Sequence, residues 1–197
     1  GGRQARTHRI IPGGRTFAYV IYDASADDGP PITVTQNDVR AIQMAKAALY
    51  AGYRLLKDKL EADGDMRPVE RVYLAGAFGS HIDVKHAMVL GMIPDCDLAH
   101  VASVGNAAGT GARIALLNAQ ARRDIEEAVR NIEKIETAVE PMFQQHFVEA
   151  MAIPHKTADF HNLSSVVSLP EKAAAGVGGD DAGGAGRRRG GGRRRRG

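Results

Sequence analysis

The stretch Val72-Tyr73-Leu74-Ala75-Gly76-Ala77-Phe78-Gly79 decides which fold this sequence predicts. Val69–Ala75, which ends in the apolar residues Val72–Ala75, predicts a buried strand, and Gly76–Gly79 predicts a glycine turn at its end. Small residues at the end of a strand let a ligand approach the backbone, because no side chain stands in the way. A tight turn packed on its neighbour explains the same residues, and on spacing alone that explanation is favoured.

A second glycine-rich loop follows the next predicted strand, Val101–Val104. Gly105-Asn106-Ala107-Ala108-Gly109-Thr110-Gly111 leads from that strand into a helix predicted over 107–120, and such a junction points backbone amides at an anion. The glycine spacing, with no following lysine, fits neither a Walker A loop nor a dinucleotide fingerprint. Close helix packing through small residues is the alternative, although two such loops after consecutive strands would lie at one edge of the sheet.

The flanking sequence predicts an alternation of strands and helices. A hairpin is expected from 6–11 and 15–22, and a capping box of Thr35 and Asp38 opens a helix over 36–62. The apolar stripe of this helix runs from Val39 to Leu60 at spacings of three and four. Further helices are predicted over 83–90, 121–132 and 141–151, and a strand over 132–137. Strands joined by helices imply parallel pairing in an α/β layer sandwich, where ligands bind at the carboxyl ends of the strands.

Charge is distributed unevenly along the 197 residues, whose formal net charge is +3. Residues 171–197 hold eight basic and three acidic side chains, a net charge of +5, which leaves −2 for residues 1–170. The arginines at 187–189 and 193–196 lie between glycines and predict a disordered polycation. Such a tail could bind RNA, an anionic membrane or an acidic protein, or serve only as a solubilising terminus.

Side chains that ligate metals are sparse in this sequence. Cys96 is the single cysteine, which excludes an internal disulfide framework and a cysteine-ligated metal site within this chain. None of the seven histidines has the spacing of a zinc site, and His146, His155 and His161 are expected at the surface or in loops. The sequence therefore predicts no metal site.

The apolar runs are far shorter than the ~20 residues that span a bilayer, and no signal peptide is visible. A cytoplasmic location is the resulting expectation. The sequence opens on Gly1 rather than on methionine, from which we expect a C-terminal piece of a longer protein.

Three separated motifs carry a resemblance to a known family. Ile32–Ala48, Val72–Asp83 and Val104–Arg113 resemble, in order and spacing, the C-terminal part of the reductive activators of corrinoid-dependent methyltransferases, and Glu140–Pro154 continues the match. Those proteins belong to the superfamily of actin-like, sugar-kinase and heat-shock ATPases (ASKHA). The resemblance implies an RNase H-like α/β subdomain over 1–162 that lacks its N-terminal part, followed by a disordered linker and Arg/Gly-rich tail over 163–197.

The resemblance also implies a nucleotide site. Gly76–Gly79 matches the adenosine motif of the superfamily, where Phe78 would line or buttress the site, and the second loop matches the glycine-rich turn beside it. Lys46, on the long helix, is expected to be exposed or to face another domain. The nucleotide-binding residues implied in this way are Gly76, Ala77, Phe78, Gly79, Gly105, Asn106 and Gly109.

The family couples ATP hydrolysis, with Mg²⁺, to the reduction of cob(II)alamin to cob(I)alamin on a partner corrinoid protein or methyltransferase. Its electrons pass through an iron–sulfur cluster in a separate domain. This sequence departs from that pattern because it has no set of cluster cysteines and no Asp-x-Gly-Thr phosphate loop before residue 30. The cluster and the phosphate groups are therefore expected in the missing part, and a homodimer is a further expectation.

Two other functions fit the same residues. A non-enzymatic interaction module would use the arginine-rich tail to bind RNA or an acidic partner, and its binding would fall steeply with salt. A kinase-like member of the same superfamily would need a catalytic aspartate that the resemblance does not locate in this chain.

Overall fold

The computed structural model describes residues 7–24, 29–77, 79 and 81–169; Phe78 and the arginine-rich tail lie outside them. The strands are β1 (Ile10–Gly13), β2 (Thr16–Tyr22), β3 (Ile32–Thr35), β4 (Val72–Ala75) and β5 (Val101–Gly105). The helices are α1 (Gln36–Ala62), α2 (Val84–Leu90), α3 (Ala107–Leu117), α4 (Ala119–Arg130), α5 (Phe143–Ala150) and α6 (His161–Ser164). This mixture of strands and helices confirms the α/β prediction.

The first three strands form an antiparallel sheet in the order β1-β2-β3. The predicted hairpin is confirmed, with a shorter first strand and a tighter turn, because Gly13 already pairs with Thr16. Gly14 has a φ of +68°, a backbone conformation that glycine adopts without strain. Strand β3 was not predicted, since its four residues border the helix entrance and are too few to show an alternating pattern.

The long helix α1 begins and ends where the sequence predicts. The backbone N–H of Thr35 donates to the Asp38 carboxylate at 2.8 Å, and the Asp38 N–H donates to the Thr35 hydroxyl oxygen at 3.3 Å. Both halves of the capping box are thus present. The Thr35 N–H, and then the Thr35 hydroxyl, donate to the Asp38 carboxylate and hold its pKa below the ordinary value. The box satisfies amides that have no carbonyl of a preceding turn to donate to.

The apolar stripe that the sequence shows on α1 is not the face that the structure buries. The buried residues are Lys46, Ala47, Tyr50, Ala51 and Leu55, and α5 packs along this helix. Ala47 and Ala51 on this face let a second helix approach closely. The larger apolar residues of the predicted stripe are partly exposed, among them Ile42, Leu49, Leu56 and Leu60.

Strands β4 and β5 pair in parallel, as predicted. They form a two-stranded sheet that is not hydrogen-bonded to the first sheet, and this separation was not predicted. Val72 and Leu74 of β4 and Val101 of β5 face a core built with α1, α2, α5 and α6. Tyr73 points to the other face and is 60% exposed. The core therefore lies on one side of this sheet. Because the strands are parallel, their carboxyl ends lie at the same edge.

Two further predictions require correction. The helix after β5 ends at Leu117, and α4 begins at Ala119, because the Asn118 side chain caps α4 by accepting from the amides of Gln120 and Ala121. Residues 132–137 do not form a strand. An alternating pattern becomes a strand only where it pairs with a neighbouring strand, and residues 132–137 pair with none of the strands in the described part of the chain.

The core continues past residue 162, where the sequence predicts a linker. Leu163 is 0% exposed, Phe160 is buried, and Val167 and Leu169 pack against the same core. The Asp95 carboxylate accepts from the amides of Asn162 and Leu163 at 2.9 and 3.0 Å and so caps α6. None of the helices in the described ranges combines the length and hydrophobicity that crossing a membrane requires.

Candidate functional site

The two glycine loops meet at the carboxyl ends of β4 and β5. The N–H of Gly76 donates to the carbonyl of Gly105 at 2.7 Å, which joins the loops by a backbone hydrogen bond. Gly76 has a φ of +101° and Gly105 a φ of +62°, and both conformations are strained for residues with a β-carbon. The sequence thus predicts the residues that come together, and parallel pairing brings them to one edge.

The two glycines of the first loop have different surroundings. A β-carbon built on Gly76 would meet no atom within 4 Å, so the backbone there borders open space. A β-carbon on Gly79 would lie 3.0 Å from the Leu74 carbonyl oxygen, because the loop folds back on β4. Gly79 is buried and suits the packing explanation, whereas Gly76 leaves room for a ligand. Ala77 between them is exposed.

The second loop opens directly into α3. Asn106 is the N-cap of this helix, and its side-chain oxygen accepts from the Gly109 N–H at 2.9 Å. A β-carbon on Gly109 would lie 2.7 Å from the Asn106 side-chain nitrogen, so a larger residue there would displace the Asn106 amide from its capping position. Ala107 and Ala108 begin the helix, where amides have no carbonyl of a preceding turn and the helix dipole favours an anion.

A shallow pocket of about 490 Å³ lies at this helix end. Its lining consists of Asn106, Gly109, Thr110 and Arg113. Thr110 donates its hydroxyl to the Asn106 carbonyl at 3.2 Å, and Arg113 donates to the Thr110 hydroxyl at 3.3 Å. The sequence reasoning did not select Thr110 or Arg113, although Arg113 follows Gly109 by four residues and so lies one helical turn beyond it.

The described residues contain no group of three or more histidine, cysteine, aspartate or glutamate side chains that could hold a metal ion. Cys96 is buried, donates to the Glu70 carbonyl at 3.4 Å, and has a pKa raised mainly by burial. A raised pKa keeps the thiol protonated, whereas metal binding needs the thiolate. An iron–sulfur cluster, which needs several cysteine ligands, has no such set in this part of the chain.

The expectations for Lys46 and His146 are wrong, whereas His155 lies in a loop as expected but is buried there. Lys46 was expected to be exposed or interdomain, yet it is 1% exposed and donates to the carbonyls of Ala152 and Pro154. His146 is buried and its ring Nε2 lies 2.6 Å from the Asp58 carboxylate, which ties α5 to α1. His155 is also buried and its ring lies 4.7 Å from that of Tyr50. Polar side chains can be buried when they meet such partners, which periodicity does not show.

Comparison with known proteins identifies relatives. A family model for the C-terminal domain of RACo, the ASKHA domain, matches residues 2–164. The chain is 39% identical over 121 residues to the corrinoid activation enzyme RamQ of Eubacterium limosum, which covers 61% of this chain and 20% of RamQ. A solved structure of a reductive activator for corrinoid, iron-sulfur protein matches with a TM-score of 0.65 and 33% identity, over 80% of this chain and 25% of that chain.

The chain thus spans about a fifth of the length of RamQ and a quarter of that of the solved activator. The matches confirm the resemblance drawn from the three motifs and the ASKHA fold class. Because the family model covers most of the sequence, the chain belongs to the family of the RACo C-terminal domain, the ASKHA domain.

Proposed function

We propose that this chain is the nucleotide-binding part of an ATP-dependent activator that reduces cob(II)alamin to cob(I)alamin on a corrinoid methyltransferase protein. The observation that carries the proposal is the junction of Gly76 and Gly105, where two strand ends, a positive-φ turn and the start of α3 meet. The relatives support the corrinoid part, since both are named as corrinoid activators.

Each residue of the junction would act on the nucleotide in a different way. The open space beside Gly76 admits the adenosine against the backbone, and Ala77 extends that surface. The first amides of α3 and its dipole stabilise the negative charge of a phosphate, and Arg113 adds positive charge at the rim of the pocket. Gly79 and Gly109 hold the turn and the helix cap in position.

ATP, when bound, supplies a phosphoanhydride whose hydrolysis can drive a change of conformation. The described residues offer no carboxylate cluster for Mg²⁺. As the family resemblance implies, the Mg²⁺ ligands and the iron–sulfur cluster would lie in polypeptide beyond this chain, such as the four fifths of RamQ that it does not match. The contribution of the chain itself is to bind and orient the nucleotide.

The proposal is tested by Gly76→Val in a full-length protein that contains this chain. Valine at a φ of +101° strains the backbone and fills the open space, so ATP affinity should fall by at least about tenfold, equivalent to about 1.4 kcal/mol. Isothermal titration calorimetry measures the affinity, and loss of the cob(II)alamin absorbance follows the reduction.

Gly64→Val is the matched control. Gly64 also has a positive φ, +91°, and a β-carbon there meets no atom within 4 Å, but it follows the end of α1 and lies outside both loops. We expect this variant to bind ATP as the wild type does. The assignment of Gly76 to the nucleotide site would be contradicted if Gly76→Val bound ATP with wild-type affinity. It would also be contradicted if both variants lost ATP affinity equally.

A further inference from the structure

Residues 151–164, here called the C-terminal strap, run back across the core after α5. Two side chains of α1 hold the beginning of the strap. Gln43 donates to the Met151 carbonyl at 3.0 Å, and Lys46 donates to the carbonyls of Ala152 and Pro154. Lys46 is only 1% exposed. A buried ammonium group needs acceptors in fixed positions, so this lysine constrains where the strap carbonyls lie.

The strap also contacts the connection between the two glycine loops. That connection runs from Gly79 through α2 to β5. A β-carbon built on Gly91, at the end of α2, would overlap the carbonyl of Pro154, which is the carbonyl that Lys46 holds. Asp95, four residues later, caps α6 at the end of the strap. The beginning of the strap is thus hydrogen-bonded to α1. The strap also contacts the connection at two places, Gly91 and Asp95.

We propose that Lys46 is a positioning residue for the junction of the glycine loops. By holding the strap against α1, it fixes Pro154 against Gly91, and this contact sets the position of α2 between the loops of Gly76 and Gly105. Lys46 touches neither loop in the described contacts and acts through the strap. The role of that junction in nucleotide binding rests on the function proposed above.

The effect of Lys46 on the free energy of unfolding can be measured separately from its effect on the position of the glycine-loop junction. Lys46→Met fills the same space without placing a charged group in the core, so the free energy of unfolding need not fall when the two hydrogen bonds are lost. A merely structural lysine would show its effect in global unfolding. A positioning lysine changes the junction while global stability is retained.

The test is amide hydrogen exchange of this chain, followed residue by residue by NMR. The probe is the N–H of Gly76, which is bonded to the Gly105 carbonyl. In Lys46→Met we expect this amide to exchange about tenfold faster or more, a local opening of the kind that native-state exchange detects. The amides of the β1–β2 hairpin should be unchanged.

Asp58→Asn is the matched control, since Asp58 ties α1 to α5 through His146 without contacting the strap. It should leave the Gly76 amide unchanged. Asp95→Asn weakens the hydrogen bonds to α6 at the other end of the strap, so it should speed exchange of the Gly76 amide as Lys46→Met does. It serves as the test variant if Lys46→Met does not fold. Unchanged exchange at Gly76 in a folded Lys46→Met, unchanged exchange in Asp95→Asn where Lys46→Met does not fold, or equal acceleration in Asp58→Asn overturns the proposal.

This readout needs no nucleotide. A chain that opens at Gly76 as expected but belongs to a protein that does not bind ATP would refute the proposed function and leave the positioning role in place.

Discussion

At the scale of single residues, burial changes the acid–base behaviour of Lys46. Desolvation lowers the pKa of its amine from 10.5 to about 8, because the charged form loses hydration that the carbonyls of Ala152 and Pro154 replace only in part. The same effect acts in the opposite direction on Tyr50, where burial raises the pKa to about 12. Both groups lie on the buried face of α1.

These pKa shifts predict how stability depends on pH. Between pH 8 and 10 the unfolded chain keeps the Lys46 proton while the folded chain loses it, so the free energy of unfolding contributed by this group rises with pH. Above pH 10 the raised pKa of Tyr50 gives a falling contribution. Urea unfolding of wild type and Lys46→Met from pH 7.5 to 10 measures the difference, which should change in favour of the wild type as pH rises. A constant difference would contradict the lowered pKa.

At the scale of elements, the start of α3 shows how two residues depend on each other. Asn106 caps the helix, and Gly109 is needed because a β-carbon there would approach the Asn106 side chain. Glycine within a helix costs about 1 kcal/mol relative to alanine. The cap, by comparison, is worth about 1 kcal/mol. The free-energy cost of glycine at position 109 is therefore about equal to the stabilisation that the Asn106 cap provides.

This dependence predicts non-additive effects in a double-mutant cycle. Gly109→Ala alone should leave amide exchange in α3 nearly unchanged, since displacement of the cap by the new methyl group offsets the gain in helix propensity. In the Asn106→Ala background the same substitution should slow exchange, because only the gain in helix propensity remains. Amide exchange of residues 107–117 in the four proteins measures both steps. Additive effects would show that the two residues do not interact.

At the scale of the whole molecule, the C-terminal segment contributes to the core beyond the boundary expected from composition. Leu163 is 0% exposed, and the loss of a buried leucine side chain costs about 2–5 kcal/mol. A chain that ends at Asn162 should therefore be less stable than one that ends at Leu169 by at least about 2 kcal/mol. Urea unfolding of the two chains measures the difference. Equal stability would show that the subdomain ends at 162 as the sequence predicts.

Local signals of the sequence were sufficient for several elements. The capping box at Thr35 and the Asp63-Gly64 turn set both ends of α1, and Asp83 with Gly91 did the same for α2. These signals depend on bonds between residues a few positions apart, so a short stretch of sequence contains both partners. The two glycine loops were located for the same reason, together with their meeting at one edge of a parallel pair.

Other features depend on partners that are distant in the sequence. The burial of Lys46 requires carbonyls more than a hundred residues away, and that of His146 requires Asp58 on another helix. Thr110 and Arg113 became part of the site only when the helix placed them on the rim of a pocket. Hydrophobic periodicity also cannot distinguish the two apolar faces of α1, since both have helical spacing.

The sequence by itself determined the α/β class, the family, the positions of α1 and α2, and the two loops that end the parallel strands. Each of these follows from short-range bonds or from a motif. The tertiary structure alone decided which face of α1 is buried, that residues 132–137 are not a strand, and that Leu163 belongs to the core. Those outcomes depend on packing between distant segments, because burial is a property of the neighbours that the fold supplies rather than of the residue itself.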